Sequence, residues 1–205
     1  MSKPKLNLFG PRVALVEIND DVEGSIELPQ NRAKIHSLGK VTHVGDGRTF
    51  KTGLTADTHS LEKEDIFLKI NDIVIFQLPP MMVASMTYQI GDKGYLFIHQ
   101  ADCIARLSNT KAAIENLEIL GHFVLASRKR TRVTTGGILL PDVVEDFNDD
   151  MNHFHAIQVG GLVNKCKVGD KLILDRTRAN KISLTGDEYF YVDQNAIHGV
   201  IEDEG

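Results

Sequence analysis

The chain has 205 residues, 42% hydrophobic and 25% charged, which suits one large globular domain or two small ones. Its formal net charge of −5 argues against nucleic acid as the main partner. Cys103 and Cys166 have neither the density of a disulfide framework nor zinc-ligand spacing, so free thiols in a reducing compartment are expected. The first residues lack an apolar signal region and no later stretch reaches membrane-spanning length, so a soluble, cytoplasmic protein without a membrane partner is expected.

In chain order, the sequence predicts short strands separated by turns rich in Gly, Asn and Asp. Arg12 to Ile18 is strand-like and stops at Asn19-Asp20-Asp21; Lys40 to Val44 alternates and stops at Gly45-Asp46-Gly47. Residues 48 to 66 are polar and aperiodic, which marks an excursion from the core. Asp72 to Phe76, Tyr95 to Ile98 and Ile104 to Leu107 are further strands, whereas Leu78 to Val83 is an apolar loop or edge.

The same order then recurs. Gly121 to Leu125 repeats the entry of Gly10 to Ala14, and Gly136 to Pro141 repeats Gly24 to Pro29. Gln158-Val159-Gly160 answers His43-Val44-Gly45, and Lys167 to Leu174 answers Lys69 to Phe76. Gly186-Asp187 answers Gly91-Asp92, and Ile197 to Val200 answers Ile104 to Leu107. Ordered correspondences of this kind predict a tandem duplication. The expected domains are 7–108 and 119–203, joined by a short linker at 109–118 with at most a turn or two of helix. Many short strands without a long helix make each an all-β barrel or sandwich.

The copies differ in two places. Asp72 follows Gly45 after a long polar stretch, whereas Asp170 follows Gly160 almost at once, so the excursion is confined to the first copy. Conversely, Gly136-Gly137-Ile138-Leu139-Leu140 keeps an uninterrupted aliphatic triplet, while Gly24-Ser25-Ile26-Glu27-Leu28 carries a charge in its centre. Bare aliphatic residues between flexible glycines and a proline, in polar surroundings, form either an edge strand or a docking peptide. The duplicated context favours docking.

Taken together, these motifs resemble the GroES-type co-chaperonins: Gly-Gly-aliphatic-x-Leu-Pro in a long loop, a Val-Gly turn, Lys-Val-Gly-Asp-x-Leu-Ile-Leu, and a terminal strand pair. The two-domain layout is similar to the tandem co-chaperonin of plastids and to divergent phage members. The resemblance implies a small β-barrel per half and a mobile loop that docks on a GroEL-type ATPase chaperonin. It further implies assembly into a homo-oligomeric ring capping the chamber that holds an unfolded client. Neither catalysis nor a cofactor is implied. Carried onto this chain, the docking triplets are Ile138-Leu139-Leu140, hinged at Gly136 and Gly137, and Ile26-Glu27-Leu28, with Gly24 retained. The roof hairpin falls after Gly45, beginning at Asp46, Gly47 and Arg48, and the second copy is expected to lack one. The alternative is a duplicated β-barrel serving as a structural or interaction module without chaperonin binding.

Other signals are weaker. His153 and His155 alternate around Phe154 but have no third metal ligand, and Asp146 to Asp150 opens like an EF-hand that Met151 and Ile157 break. The basic run from Arg128 to Arg132 is expected to be a solvated loop flank. A medium-chain dehydrogenase, whose fold also contains a GroES-like domain, would need a dinucleotide fingerprint that no stretch supplies.

Overall fold

The computed structural model describes residues 6–18, 26–27, 35–52, 59–108, 113–128, 153–184 and 186–201. The first half contributes β1 (Arg12–Glu17), β2 (Ile26–Glu27), β3 (Ile35–Val44), β4 (Arg48–Thr52), β5 (His59–Lys63) and β6 (Ile73–Leu78). A short helix α1 (Pro80–Met86) follows, then β7 (Thr87–Ile90), β8 (Lys93–His99) and β9 (Cys103–Leu107). The second half comprises β10 (Leu117–Ile119), β11 (Phe123–Ser127), β12 (His153–Val159), β13 (Lys171–Leu174), β14 (Asn180–Leu184), β15 (Asp187–Asp193) and β16 (Ile197–Ile201). The described residues are all-β apart from α1 and three single 3-10 turns. Among the described residues no helix is long and apolar enough to cross a membrane.

Two seven-stranded antiparallel sheets hold all of these strands but β4 and β5, ordered β10-β9-β6-β3-β1-β8-β7 and β16-β13-β12-β11-β15-β14-β2. Six strands of each come from one half, in the same spatial order, and the seventh comes from across the boundary. The irregularities repeat too. The β1–β3 pairing shifts between Ala14 and Leu15, and β11–β12 between Leu125 and Ala126. The β6–β9 pairing shifts between Ile75 and Phe76, and β13–β16 between Ile173 and Leu174. A bulge is a local device that re-aims a strand; two bulges in corresponding registers mark two copies of one fold.

Register also corrects two correspondences by one residue. Phe76 faces Cys103 as Leu174 faces Ile197, so Cys103 rather than Ile104 answers Ile197. Asp187, opposite Leu184, answers Lys93, opposite Ile90, rather than Asp92. Composition could not detect the first of these shifts, because neighbouring apolar residues exchange roles across a bulge.

Three apolar clusters sit on these sheets. Val13, Leu15, Val41, Val74, Phe76, Leu96, Ile98 and Cys103 converge from five strands of the first half on one cluster. Val124, Phe154, Leu172, Val192 and Ile197 do the same in the second. A single sheet reaches one cluster from so many strands only by wrapping its inner face around it, the geometry of a small barrel. The third cluster joins the halves: Ile73, Ile75, Ala105 and Leu107 of the first pack with Phe123, Leu125, Ile182, Leu184 and Tyr191 of the second. Alternation explains this double use. Ile73 and Ile75 point to the junction while Val74 and Phe76 point inward, because successive strand residues face opposite ways.

The expected linker is partly a strand. After a 3-10 turn at Ile114–Asn116, Leu117 and Ile119 of β10 pair with Leu107 and Ala105 of β9. The apolar run Leu78 to Val83 is also more than an edge. Pro80 opens α1, where its missing N–H costs nothing, and Val83 and Met86 pack on the first cluster.

Candidate functional site

The excursion after Gly45 forms a separate two-stranded antiparallel ribbon, β4 on β5, from Arg48↔Lys63 to Thr52↔His59. Its root is built from the four residues singled out in the sequence. A side chain at Gly45 would place Cβ 2.1 Å from the Gly10 carbonyl oxygen, and one at Gly160 2.4 Å from that of Gly121. The Val-Gly turn thus recurs because the backbone crosses at contact distance in both copies. Asp46 Oδ1 accepts from the Gly10 N–H at 2.9 Å and the Arg48 N–H at 3.1 Å. Those amides, Arg48's first, hold the Asp46 carboxyl below its ordinary value. Gly47 has φ +71°, donates to the Gly10 carbonyl at 3.0 Å and accepts from the Glu64 N–H at 2.9 Å.

Gln100, fully buried, holds the returning side of the ribbon. Its Nε2 donates to Glu64 Oε1 at 2.7 Å and to the Asp65 carbonyl at 2.9 Å, and its Oε1 accepts from the Phe67 N–H at 3.1 Å. The second copy keeps the device on a smaller scale. Gln194 Oε1 accepts from the Asn164 N–H at 3.1 Å and Nε2 donates to the Leu162 carbonyl at 3.4 Å, bracing a tight turn where the first copy has a ribbon. Sequence reasoning missed both glutamines, although each follows the last residue of a corresponding strand.

Arg106 links the ribbon's return to the junction. Its Nε donates to Glu118 Oε2 at 2.7 Å and its guanidinium to the Phe67 carbonyl at 3.0 Å, with Asp72 3.6 Å away. Glu118 chiefly raises its pKa.

The ribbon and the first loop lie at opposite ends of β3, whose ten residues span roughly 30 Å. The two candidate docking triplets are placed differently. Ile26 and Glu27 form β2 on the outer edge of β14, whereas Gly24 and Leu28 lie outside the described residues. The second triplet, Ile138-Leu139-Leu140, and its hinge, Gly136 and Gly137, also lie outside them. The loop that carries it leaves β11 at Ser127 and rejoins at β12.

One root of that loop is visible. The Arg128 guanidinium carbon lies 5.2 Å from the Phe154 ring centre and 5.3 Å from that of Phe190, over an edge-to-face aromatic pair. Arg128 is therefore not merely a solvated flank: it stacks across the neck of the loop, an interaction worth about 0.5–1 kcal/mol at an exposed site. His153 and His155 share one face of β12, opposite the buried Phe154. Among the described residues no three His, Cys, Asp or Glu side chains converge as a metal site.

Burial pushes both thiols up, Cys103 most strongly. Cys103 is buried and Cys166 partly buried, so both thiols favour the protonated form.

The model of the family described as chaperonin 10 kDa subunit matches residues 116–201. A co-chaperonin GroES of Caldicellulosiruptor saccharolyticus is 32% identical over 82 residues, covering 37% of this chain and 85% of that protein. A co-chaperonin GroES of Caldicellulosiruptor bescii matches to the same extent, and one of Thermodesulfovibrio yellowstonii is 29% identical over 76 residues, covering 37% and 83%. The family match covers β10 to β16, and the first half repeats that strand order and register. The chain therefore belongs to the GroES-type co-chaperonin family.

Proposed function

We propose that the chain is two GroES-like domains in tandem, assembles head to tail into a ring, and caps the chamber of a GroEL-type ATPase chaperonin around a folding client. The second loop docks through Ile138-Leu139-Leu140, hinged at Gly136 and Gly137. The ribbon from Arg48 to Lys63 supplies roof, from the first half alone. No catalytic step is needed. The observation that carries this reading is the repeated six-strand order, with a ribbon at one end of the first sheet and a loop leaving the other end of each.

Ring assembly is supported by the unsatisfied counterparts of the internal junction. Leu120 of the second copy enters the first half's core at 4% exposure, while its counterpart Phe9 stands 73% exposed. Ile182 packs in the junction, while its counterpart Tyr88 is 56% exposed against Phe97. At the other end, Ile173 answers the buried Ile75 and is exposed. The outer edge of β16 answers that of β9, which β10 covers. A donor at one end and an acceptor at the other make a heterologous contact, which closes into a ring where the rotation allows.

Docking by one triplet is weak. Three buried aliphatic side chains yield about 1.5–3 kcal/mol each, whereas ordering a loop of about a dozen residues costs about 1–2 kcal/mol per residue. Several loops on one ring recover affinity through effective concentration, by about 10²–10⁴, which suits a cap that must leave again. Native mass spectrometry of the chain, alone and with a chaperonin ring plus nucleotide, tests the reading. A closed oligomer that joins the chaperonin only with nucleotide is expected; monomers that never join would leave the structural-module alternative.

A further inference from the structure

We infer that Ile26–Glu27, the first two residues of the first copy's candidate docking triplet, work instead as an internal latch that covers the open edge of the second copy's sheet and ties the two halves together. Ile26 sits opposite Leu184 and Glu27 opposite Ser183, so a segment of the first half becomes the seventh strand of the second half's sheet. Ile26 is partly buried against the junction cluster that contains Ile182, Leu184 and Leu107. Ile18, where the chain leaves β1, packs on the same cluster. The exchange is reciprocal: β10 of the second half covers β9 of the first, and β2 of the first half covers β14 of the second. Two strands crossing one boundary in opposite directions hold it more firmly than side-chain packing alone, because each supplies backbone hydrogen bonds to an edge that would otherwise be open.

The sequence of the triplet suits this role better than docking. A strand laid on a sheet edge needs an apolar residue only at alternate positions, which Ile26 followed by Glu27 provides. A groove that must bury three consecutive side chains would have to bury a carboxylate, which is costly unless the groove supplies a partner. The counterpart edge supplies the contrast. In the first half, β7 corresponds to β14, takes no strand on its outer edge among the described residues, and leaves Thr87, Tyr88 and Gln89 exposed.

The inference rests on the proposed function only in assigning docking to the second loop; the latch itself is tested without a chaperonin. Hydrogen exchange of the full chain, followed by mass spectrometry, is compared for the wild type, Ile26→Ala and Ile26→Asp. Exchange in the peptide spanning β14 is expected to quicken about threefold or more in Ile26→Ala and about tenfold or more in Ile26→Asp. The β7 peptide should stay unchanged. Equal β14 exchange in wild type and Ile26→Ala overturns the latch, and Ile26→Ala keeps the test decisive should the charged variant fail to fold. A second arm cross-links the paired positions in a Glu27→Cys/Ser183→Cys variant. Undiminished nucleotide-dependent binding of the oxidised protein to a chaperonin ring supports the latch, whereas binding lost on oxidation and restored by reduction shows that the first triplet must leave β14 to dock. Failure of the wild type to bind a chaperonin counts against the proposed function and leaves the exchange result standing.

Discussion

Gln100 makes the sharpest demand on the ribbon. Gln100→Ala removes three side-chain hydrogen bonds, to Glu64, Asp65 and the Phe67 N–H, from a fully buried position. A typical bond contributes about 0.5–1.5 kcal/mol net, and a donor or acceptor left unpaired in a buried site costs about 1–3 kcal/mol. Phe67 is half-buried and Asp65 exposed, so water reaches part of the gap and the total falls at about 2–4 kcal/mol. The same change at Gln194 removes two bonds, one of them long at 3.4 Å, beside exposed Leu162 and Asn164. About 1 kcal/mol or less is expected there. Urea denaturation of both variants gives the two values, and hydrogen exchange across residues 46–67 locates the first. Equal losses in the two variants, or a Gln100→Ala loss below about 1 kcal/mol, would refute the claim that this glutamine anchors the ribbon.

Two further outcomes follow from the same geometry. Phe9→Ser should abolish oligomers in native mass spectrometry while leaving the monomer's urea midpoint nearly unchanged, since Phe9 is exposed; oligomers that persist would remove Phe9 from the proposed contact. The folded Asp46 carboxyl lies below its ordinary value of 3.8, so its bonds stabilise the ribbon root above that pH and are lost as pH falls through the folded value. The Gly10 and Arg48 amide resonances should therefore titrate together with a midpoint under 3.8, and a midpoint at or above it contradicts the assignment.

Much of this was legible in the residues. The Val-Gly turns were visible because a close backbone crossing tolerates only glycine, and the strands from Arg12 and Phe123 because their cores demand apolar runs. The ribbon was visible only as an absence of core periodicity, since β4 and β5 pair with each other rather than with either seven-stranded sheet. Helix α1 was hidden because Pro79-Pro80-Met81-Met82 is too short for helical periodicity to show. The reciprocal strand exchange left no local mark: β2 is two residues long, and its partner lies in the other half. Gln100 and Arg128 were missed because a polar residue's partner is set by tertiary placement rather than spacing.

The most direct test of the docking claim compares nucleotide-dependent chaperonin binding of Leu139→Asp and Ile26→Asp with wild type. Losing one aliphatic anchor of about 1.5–3 kcal/mol and placing a carboxylate in its groove should cost Leu139→Asp at least about a hundredfold in affinity, multiplied across the loops of a ring. Ile26→Asp, assayed where circular dichroism shows it folded because the substitution also opens the latch, should stay within about threefold of wild type. Equal losses in the two variants, or Leu139→Asp binding as the wild type does, would contradict the assignment of docking to the second loop.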